Sequence, residues 1–318
     1  MKIVITGAAG YIGSKLFDFL VKRGHNVIGF DNLFYDQGTL VSKVACNSIG
    51  VSKFFVEDVT SWSENLKDAI KNADIIIPLA ALVGAPLCDK YPELTYKINF
   101  EWFSKLLPYL KDQHIIYPNT NSGYGSTGEE ICTEETPSNP LSLYAKTKQD
   151  SENLLMTYEK STCFRLATVF GWSYRPRTDL LVNNLTKTAL ETGRIFLFDG
   201  HFRRNYIHVD DIVSAFNFII DKITYKKSED IHGVFNLGND SLNTTKENLV
   251  KEICSIVGSD FVTQDNRTDP DKRDYLVSSQ KLYSLGWKPS VSLRFGVNQM
   301  VNFYRLMSKS DELRCRNY

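Results

Sequence analysis

The sequence predicts an α/β fold, a parallel sheet doubly wound by helices on both faces. Three observations predict it. Short, continuously apolar runs recur through the first half of the chain with amphipathic stretches between them. The first of these runs stops at a glycine-rich loop that restarts as a helix. No low-complexity linker or internal repeat breaks the pattern. Strands buried on both faces lose the alternation of a half-exposed strand, so unbroken apolar runs separated by helices indicate a parallel sheet.

The first run is Lys2-Ile3-Val4-Ile5-Thr6, followed by a loop carrying Gly7, Gly10 and Gly13. Glycines at a strand-to-helix turn let backbone N–H groups and the helix N-terminus approach a pyrophosphate. Three glycines alone are equally compatible with an ordinary tight turn. The second run, residues 26–30, ends at Asp31. A carboxylate there can accept bonds from ribose hydroxyls and repels a 2′-phosphate, which favours NAD over NADP. Strand, loop, helix, strand and terminal acid in this order point to a dinucleotide site.

The next strands are read at 53–56, 74–79, 114–117 and 163–167. Helical stretches at 93–111 and 145–159 follow the fourth and fifth strands, and their simplest role is to cover the sheet. The whole is a doubly wound Rossmann sheet. After Gly171 the alternation loosens into loops rich in Arg, Asn and Asp at 173–179, 199–205 and 265–274. These are expected to build a smaller C-terminal α/β domain that closes over the cofactor. A strand at 206–209 and a helix at 211–220 are expected to return to the first domain. The expected division is 1–170 plus 206–236 for NAD binding and 171–205 plus 237–318 for the substrate. The polar tail from 308 onward either extends the last helix or is disordered.

Composition narrows the partners. Lys and Arg total 37, as do Asp and Glu, and no long basic run occurs, which argues against nucleic acid or an anionic membrane. No apolar run approaches the roughly 20 residues of a membrane span. The apolar start is broken at once by Thr6 and Gly7, so it reads as a strand and not as a secretory signal, and the chain is expected to be cytoplasmic. Cys46, Cys88, Cys132, Cys163, Cys254 and Cys315 include no C-x-x-C pair and are read as reduced thiols. The five histidines are dispersed, so no metal is expected.

The chemistry rests on Thr120, at the end of the fifth strand, and on Tyr144 and Lys148, one helical turn apart. A free phenol has a pKa of about 10, too high for a base at neutral pH unless positive charge stabilises the phenolate. Lys148 is placed to supply that field and to hold the nicotinamide ribose. Tyr144 would then take a proton from a sugar hydroxyl while Thr120 holds the same oxygen. A solvated Tyr and Lys pair on a helix is the plainer alternative.

The ordered set Gly7-x-x-Gly10-x-x-Gly13, Asp31-Asn32, Asp58-Val59, Leu79-Ala80-Ala81, Asn99, Thr120, Tyr124-Gly125 and Tyr144-x-x-x-Lys148 resembles the extended short-chain dehydrogenases/reductases of the NAD-dependent epimerase/dehydratase family. The resemblance covers essentially the whole chain. It implies that Tyr11 and Ile12 join the glycines at the cofactor and that Asn32 accompanies Asp31. Asp58 and Val59 would border the adenine, Leu79, Ala80 and Ala81 would flank the cofactor, and Asn99 would organise the site. It also implies a homodimer built from the helices at 93–111 and 145–159, and a sugar carried on a nucleoside diphosphate.

Holding a diphosphate calls for arginines and amides. The candidates are Asn183, Arg204 and Arg273, with Arg175 and Arg177 nearby, and Asn121 and Ser122 are placed beside the sugar. Ion pairing with neighbouring Asp residues is the alternative for each arginine. The family's dehydratases carry Asp and Glu after the catalytic Thr, where this chain has Asn121 and Ser122; neither can serve as the acid or base of an elimination. A 3,5-epimerising branch uses Cys where Ser122 stands. What remains is oxidation at C4. Longer blocks, at 75–88, 117–125, 164–171, 201–209 and 269–275, resemble the branch that oxidises a GDP-manno-heptose at C4 for capsule polysaccharide. A UDP-hexose 4-epimerase with a transient 4-keto intermediate is the second expectation, and a non-catalytic NAD-binding regulator the third.

Overall fold

The computed structural model describes residues 1–38, 52–128, 130–225, 231–264 and 273–317. Cys46 and most of the loop expected at 265–274 fall outside them.

The main sheet has seven parallel strands. Across it they run Gly233–Leu237, Ser161–Leu166, His114–Thr120, Ile75–Pro78, Lys2–Thr6, Asn26–Asp31 and Lys53–Val56. Successive side chains of a strand point to opposite faces. Ile3 and Ile5 therefore enter one core with Leu16, Phe17 and Leu20 of helix Tyr11–Lys22 and Ile212, Phe216 and Ile219 of helix Val209–Thr224. Val4 enters the other core with Leu66, Ile70, Trp102, Phe103 and Leu155. Both faces are buried, which is why these strands read as continuous apolar runs. The sheet order reverses between Lys2–Thr6 and Ile75–Pro78, and a crevice opens beyond the carboxyl ends of strands at such a reversal.

A third core lies beside this sheet, where Val182, Leu185, Leu249, Ile253, Val297 and Met300 pack together from helices Leu181–Thr192, Lys246–Val257 and Leu293–Tyr304. Among the described residues three small sheets accompany it. The strand expected at 206–209 is observed as Arg203–His208 and does not join the main sheet. It pairs with Thr168–Phe170 and Asn239–Thr245, whereas the helix after it packs on the main sheet as expected. The stretch 93–111 is broken into short helices around a π-helical turn, Lys97–Glu101, and helix Leu143–Leu155 replaces the one expected at 145–159.

The tail neither extends the last helix nor lies loose. It folds back so that Cys315 and Asn317 are buried. Among the described residues no helix is long and apolar enough to cross a membrane, and no cluster of three potential metal ligands occurs.

Candidate active site

A cavity of about 1100 Å³ opens at the reversal of the sheet. Gly7, Gly10, Tyr11, Ile12, Gly13, Asp31, Asn32, Asp58, Val59, Leu79, Ala80 and Ala81 line one part of it. Thr120, Ser122, Tyr144, Lys148, Arg204 and Arg273 line another.

The glycine loop is built for close approach. A Cβ at Gly7 would lie 2.6 Å from the Ala80 backbone nitrogen, and one at Gly13 would lie 2.1 Å from the Gly7 carbonyl oxygen. Gly7 also has a φ of +69°, which favours glycine. Gly10 caps helix Tyr11–Lys22 without a side-chain bond, and no acidic residue stands in the first turn. The helix therefore presents its positive end to an anion.

Asp31 is buried at the end of its strand, where its carboxylate accepts from the N–H groups of Ala9 (2.9 Å) and Leu33 (2.8 Å). Burial raises its pKa against those bonds and the nearby Arg175 charge. The Asn32 amide donates to Asp58 at 2.8 Å. These residues fit a dinucleotide: an unobstructed helix N-terminus for the pyrophosphate, and a carboxylate at the second strand for a ribose.

Thr120 closes the strand His114–Thr120, and its N–H donates to Asn119 Oδ1 at 2.7 Å. Asn119 in turn donates to Glu152 at 2.6 Å, and Glu152 forms a buried ion pair with Arg165 at 2.7 Å. The Thr120 hydroxyl donates to Ser122 Oγ at 3.0 Å and accepts from the Ser122 N–H at 3.1 Å. Tyr144 lies in the first turn of helix Leu143–Leu155, which Ser142 caps through the Ala145 N–H. Lys148 follows one turn later, 4% exposed, with its ammonium 4.0 Å from the centre of the Tyr117 ring.

The charge states differ from the expectation. Burial pushes the Tyr144 phenol up to about 12, while Arg177, Arg273 and a hydrogen bond from Thr120 pull it down. Burial also pulls the Lys148 ammonium down to about 7. Within the protein by itself desolvation outweighs the field that Lys148 was expected to provide.

Three expected residues lie outside the cavity. Asn99 sits in the π-helical turn and clamps Leu82, accepting from its N–H and donating to its carbonyl, both at 2.9 Å. The Asn183 amide is bonded to the Gly171 N–H at 3.0 Å and the Arg177 carbonyl at 2.9 Å, so it shapes a loop and does not face a ligand. Asn121 is fully buried, and its side-chain amide has no hydrogen-bond partner among the described residues.

The arginines divide. Arg177 lines the cavity but pairs with Asp179 in a buried ion pair, not the surface pair of the alternative reading. Arg204 lines the cavity with its guanidinium 5.3 Å from the Tyr275 ring centre, and Arg273 donates to Ser122.

Sequence reasoning missed Lys246, Tyr275, Tyr35 and Asn317, which also line the cavity. Lys246 had a readable signal. It opens helix Lys246–Val257, where a cation opposes the helix dipole, so its placement there calls for another reason. Its ammonium donates to the Phe198 carbonyl at 3.0 Å. Asn317 had no local signal.

The sequence profile of the NAD-dependent epimerase/dehydratase family matches residues 3–238. The chain is 29% identical to protein CapI of Staphylococcus aureus over 96% of this chain and 98% of that protein. It is 27% identical to the UDP-glucose 4-epimerase of Lactobacillus helveticus, over 91% and 92%. The crystal structure of the UDP-glucuronic acid 4-epimerase of Bacillus cereus, solved with UDP-glucuronic acid and NAD, superposes with a TM-score of 0.80. It covers 97% of this chain and 100% of that one, at 25% identity.

Proposed function

This chain belongs to the NAD-dependent epimerase/dehydratase family, and from that premise we propose that it oxidises C4 of a sugar carried on a nucleoside diphosphate. The observation that carries the proposal is the convergence of Thr120, Tyr144 and Lys148 on the cavity that the glycine loop and Asp31 also line. NAD is the cofactor, and when bound it supplies the hydride acceptor and the positive charge of its oxidised ring.

Tyr144 takes the proton of the C4 hydroxyl, and Thr120, held through Asn119, hydrogen-bonds the same oxygen. Arg177 and Arg273 pull the phenol down against the larger effect of burial. Arg204, Arg273 and Ser122 bind the diphosphate and the sugar, and Gly7, Gly10, Tyr11, Ile12 and Gly13 receive the dinucleotide at the helix N-terminus. Asp58 and Val59 border its adenine. The absence of a carboxyl group at Asn121 and Ser122 supports simple redox at C4 over elimination. The exposed Tyr96 and Tyr109, on the helical stretch that follows the fourth strand, suit a homodimer face.

The named relatives favour return of the hydride to the opposite face of the ketone, which makes the enzyme a UDP-sugar 4-epimerase. A second reading, release of the ketone from a GDP-manno-heptose destined for a surface polysaccharide, is favoured by the sequence blocks at 75–88, 117–125 and 201–209. Mass spectrometry of the protein with NAD and a panel of UDP- and GDP-linked hexoses and heptoses in deuterated water separates them. An isomer of unchanged carbon-bound hydrogen count with inverted C4 is the expected epimerase product. A product two hydrogens lighter with stoichiometric NADH is the dehydrogenase outcome. The Tyr144→Phe variant should bind NAD and form neither. Turnover by that variant, or no product from any sugar with the parent protein, would overturn the proposal.

A further inference from the structure

The loop after strand Thr168–Phe170 and the C-terminal tail meet over the dinucleotide part of the cavity. Arg175 lies at this junction, 2% exposed, and lines the cavity together with Asp31, Tyr35 and Asn317. Its guanidinium stacks 4.4 Å from the centre of the Tyr35 ring. Its two hydrogen bonds among the described residues go to neutral oxygens, Asn317 Oδ1 at 2.7 Å and the Arg316 carbonyl at 3.1 Å, and its Nε has no partner. Buried charges are ordinarily paired with an opposite charge. The neighbouring Arg177 has such a partner in Asp179, whereas Arg175 is held in place by neutral groups and feels the carboxylates of Asp31 and Asp179 only at longer range.

The tail fixes this arrangement. The Thr178 N–H donates to the Cys315 carbonyl at 2.6 Å, and Lys187 pairs with Glu312 at 2.9 Å. Arg314 approaches Asp36, on the segment that follows Asp31, at 3.5 Å. The tail therefore ties the 173–179 loop to the edge of the dinucleotide groove. A buried, immobilised guanidinium that lines the same cavity as a helix N-terminus offers an anion there a second source of positive potential.

We propose that Arg175, held by Asn317 and the tail, is a binding residue for the pyrophosphate of the dinucleotide, completing from the C-terminal side the anion site that the glycine loop begins. NAD carries its negative charge on the pyrophosphate alone, and Asp31 excludes a 2′-phosphate as the anion. The inference rests on the NAD-dependent reading of the cavity. It adds a reason for the tail to fold back: a cofactor that must stay bound while a ketone is held gains from a clamp.

The test is equilibrium binding to nucleotide-stripped protein. Arg175→Gln should weaken NAD and ADP-ribose by about 10- to 100-fold, the range of a charge-assisted bond, and leave competition by adenosine unchanged. Asn317→Ala should weaken NAD less, and adding it to Arg175→Gln should have little further effect, because the two act through one contact. Unchanged NAD affinity in Arg175→Gln would overturn the inference while leaving the proposed function intact. So would an equal loss of adenosine binding, which would place the arginine at the nucleoside or in the fold. Failure of the parent protein to bind NAD would overturn both.

Discussion

At the scale of single residues, spacing was legible and charge state was not. Tyr144 and Lys148 stand on one helix face because four residues make about one turn, a local fact. Whether either is ionised depends on how much water the tertiary fold removes. Lys148 has its pKa lowered from 10.5 to about 7, so between these values the unfolded chain binds a proton that the folded chain has released. Stability of the nucleotide-free protein therefore rises with pH across that window, and the full cost of the buried ammonium is felt below pH 7. Lys148→Met should abolish turnover yet stabilise the nucleotide-free protein. The gain should be on the order of a few kcal/mol at pH 6 and shrink markedly by pH 9. Denaturant unfolding at the two pH values checks this; an equal gain at both would mean that the ammonium is solvated.

At the scale of elements, the strand-to-helix loops were the most readable features because their requirements are steric and local. The glycine loop was identified from three residues, and the structure gives each a contact or a cap that explains it. Gly13→Ala places a methyl against the Gly7 carbonyl and is expected to cost roughly 1–3 kcal/mol. NAD affinity should fall more than tenfold, because the helix N-terminus has to move. Gly24→Ala is the contrast. It has a φ of +81° but open space around it, so it should lose stability of about 1 kcal/mol with NAD affinity unchanged. Denaturation midpoints and NAD titrations of both variants check the pair. The helix expected at 93–111 shows the limit of periodicity. Its apolar spacing was visible, but the π-helical turn that brings Asn99 to Leu82 answers to a loop on another strand.

At the scale of the whole molecule, two buried histidines lie beside different elements of the core. His114 hydrogen-bonds Thr162 on the adjacent strand at 2.8 Å, and His208 packs against Phe170. Burial lowers both from 6.5 to about 4; His232 and Lys160 add to this at His114, while Asp210 opposes and Lys15 assists at His208. The unfolded chain therefore binds more protons between these values. The stability contributed by the neutral rings is complete above pH 6.5 and is lost as pH falls through 4. Unfolding free energy should drop by several kcal/mol over that interval, and His114→Gln should flatten the slope, as measured by denaturant titration at stepped pH. The sequence by itself determined the parallel α/β sheet, the glycine loop between its first strand and helix, the acid that ends the second strand and the spacing of Tyr144 and Lys148. Each is set within a few tens of residues by strand period, helix period or the absence of a Cβ. Only the tertiary structure decided that Arg204 and Arg273 reach the cavity while Asn99 and Asn183 hold backbone. It alone brought Asn317 to Arg175 across 142 positions and let burial push the pKa values of Tyr144 and Lys148 against the expected direction. Those outcomes depend on contacts between distant segments and on the exclusion of water, which no local pattern encodes.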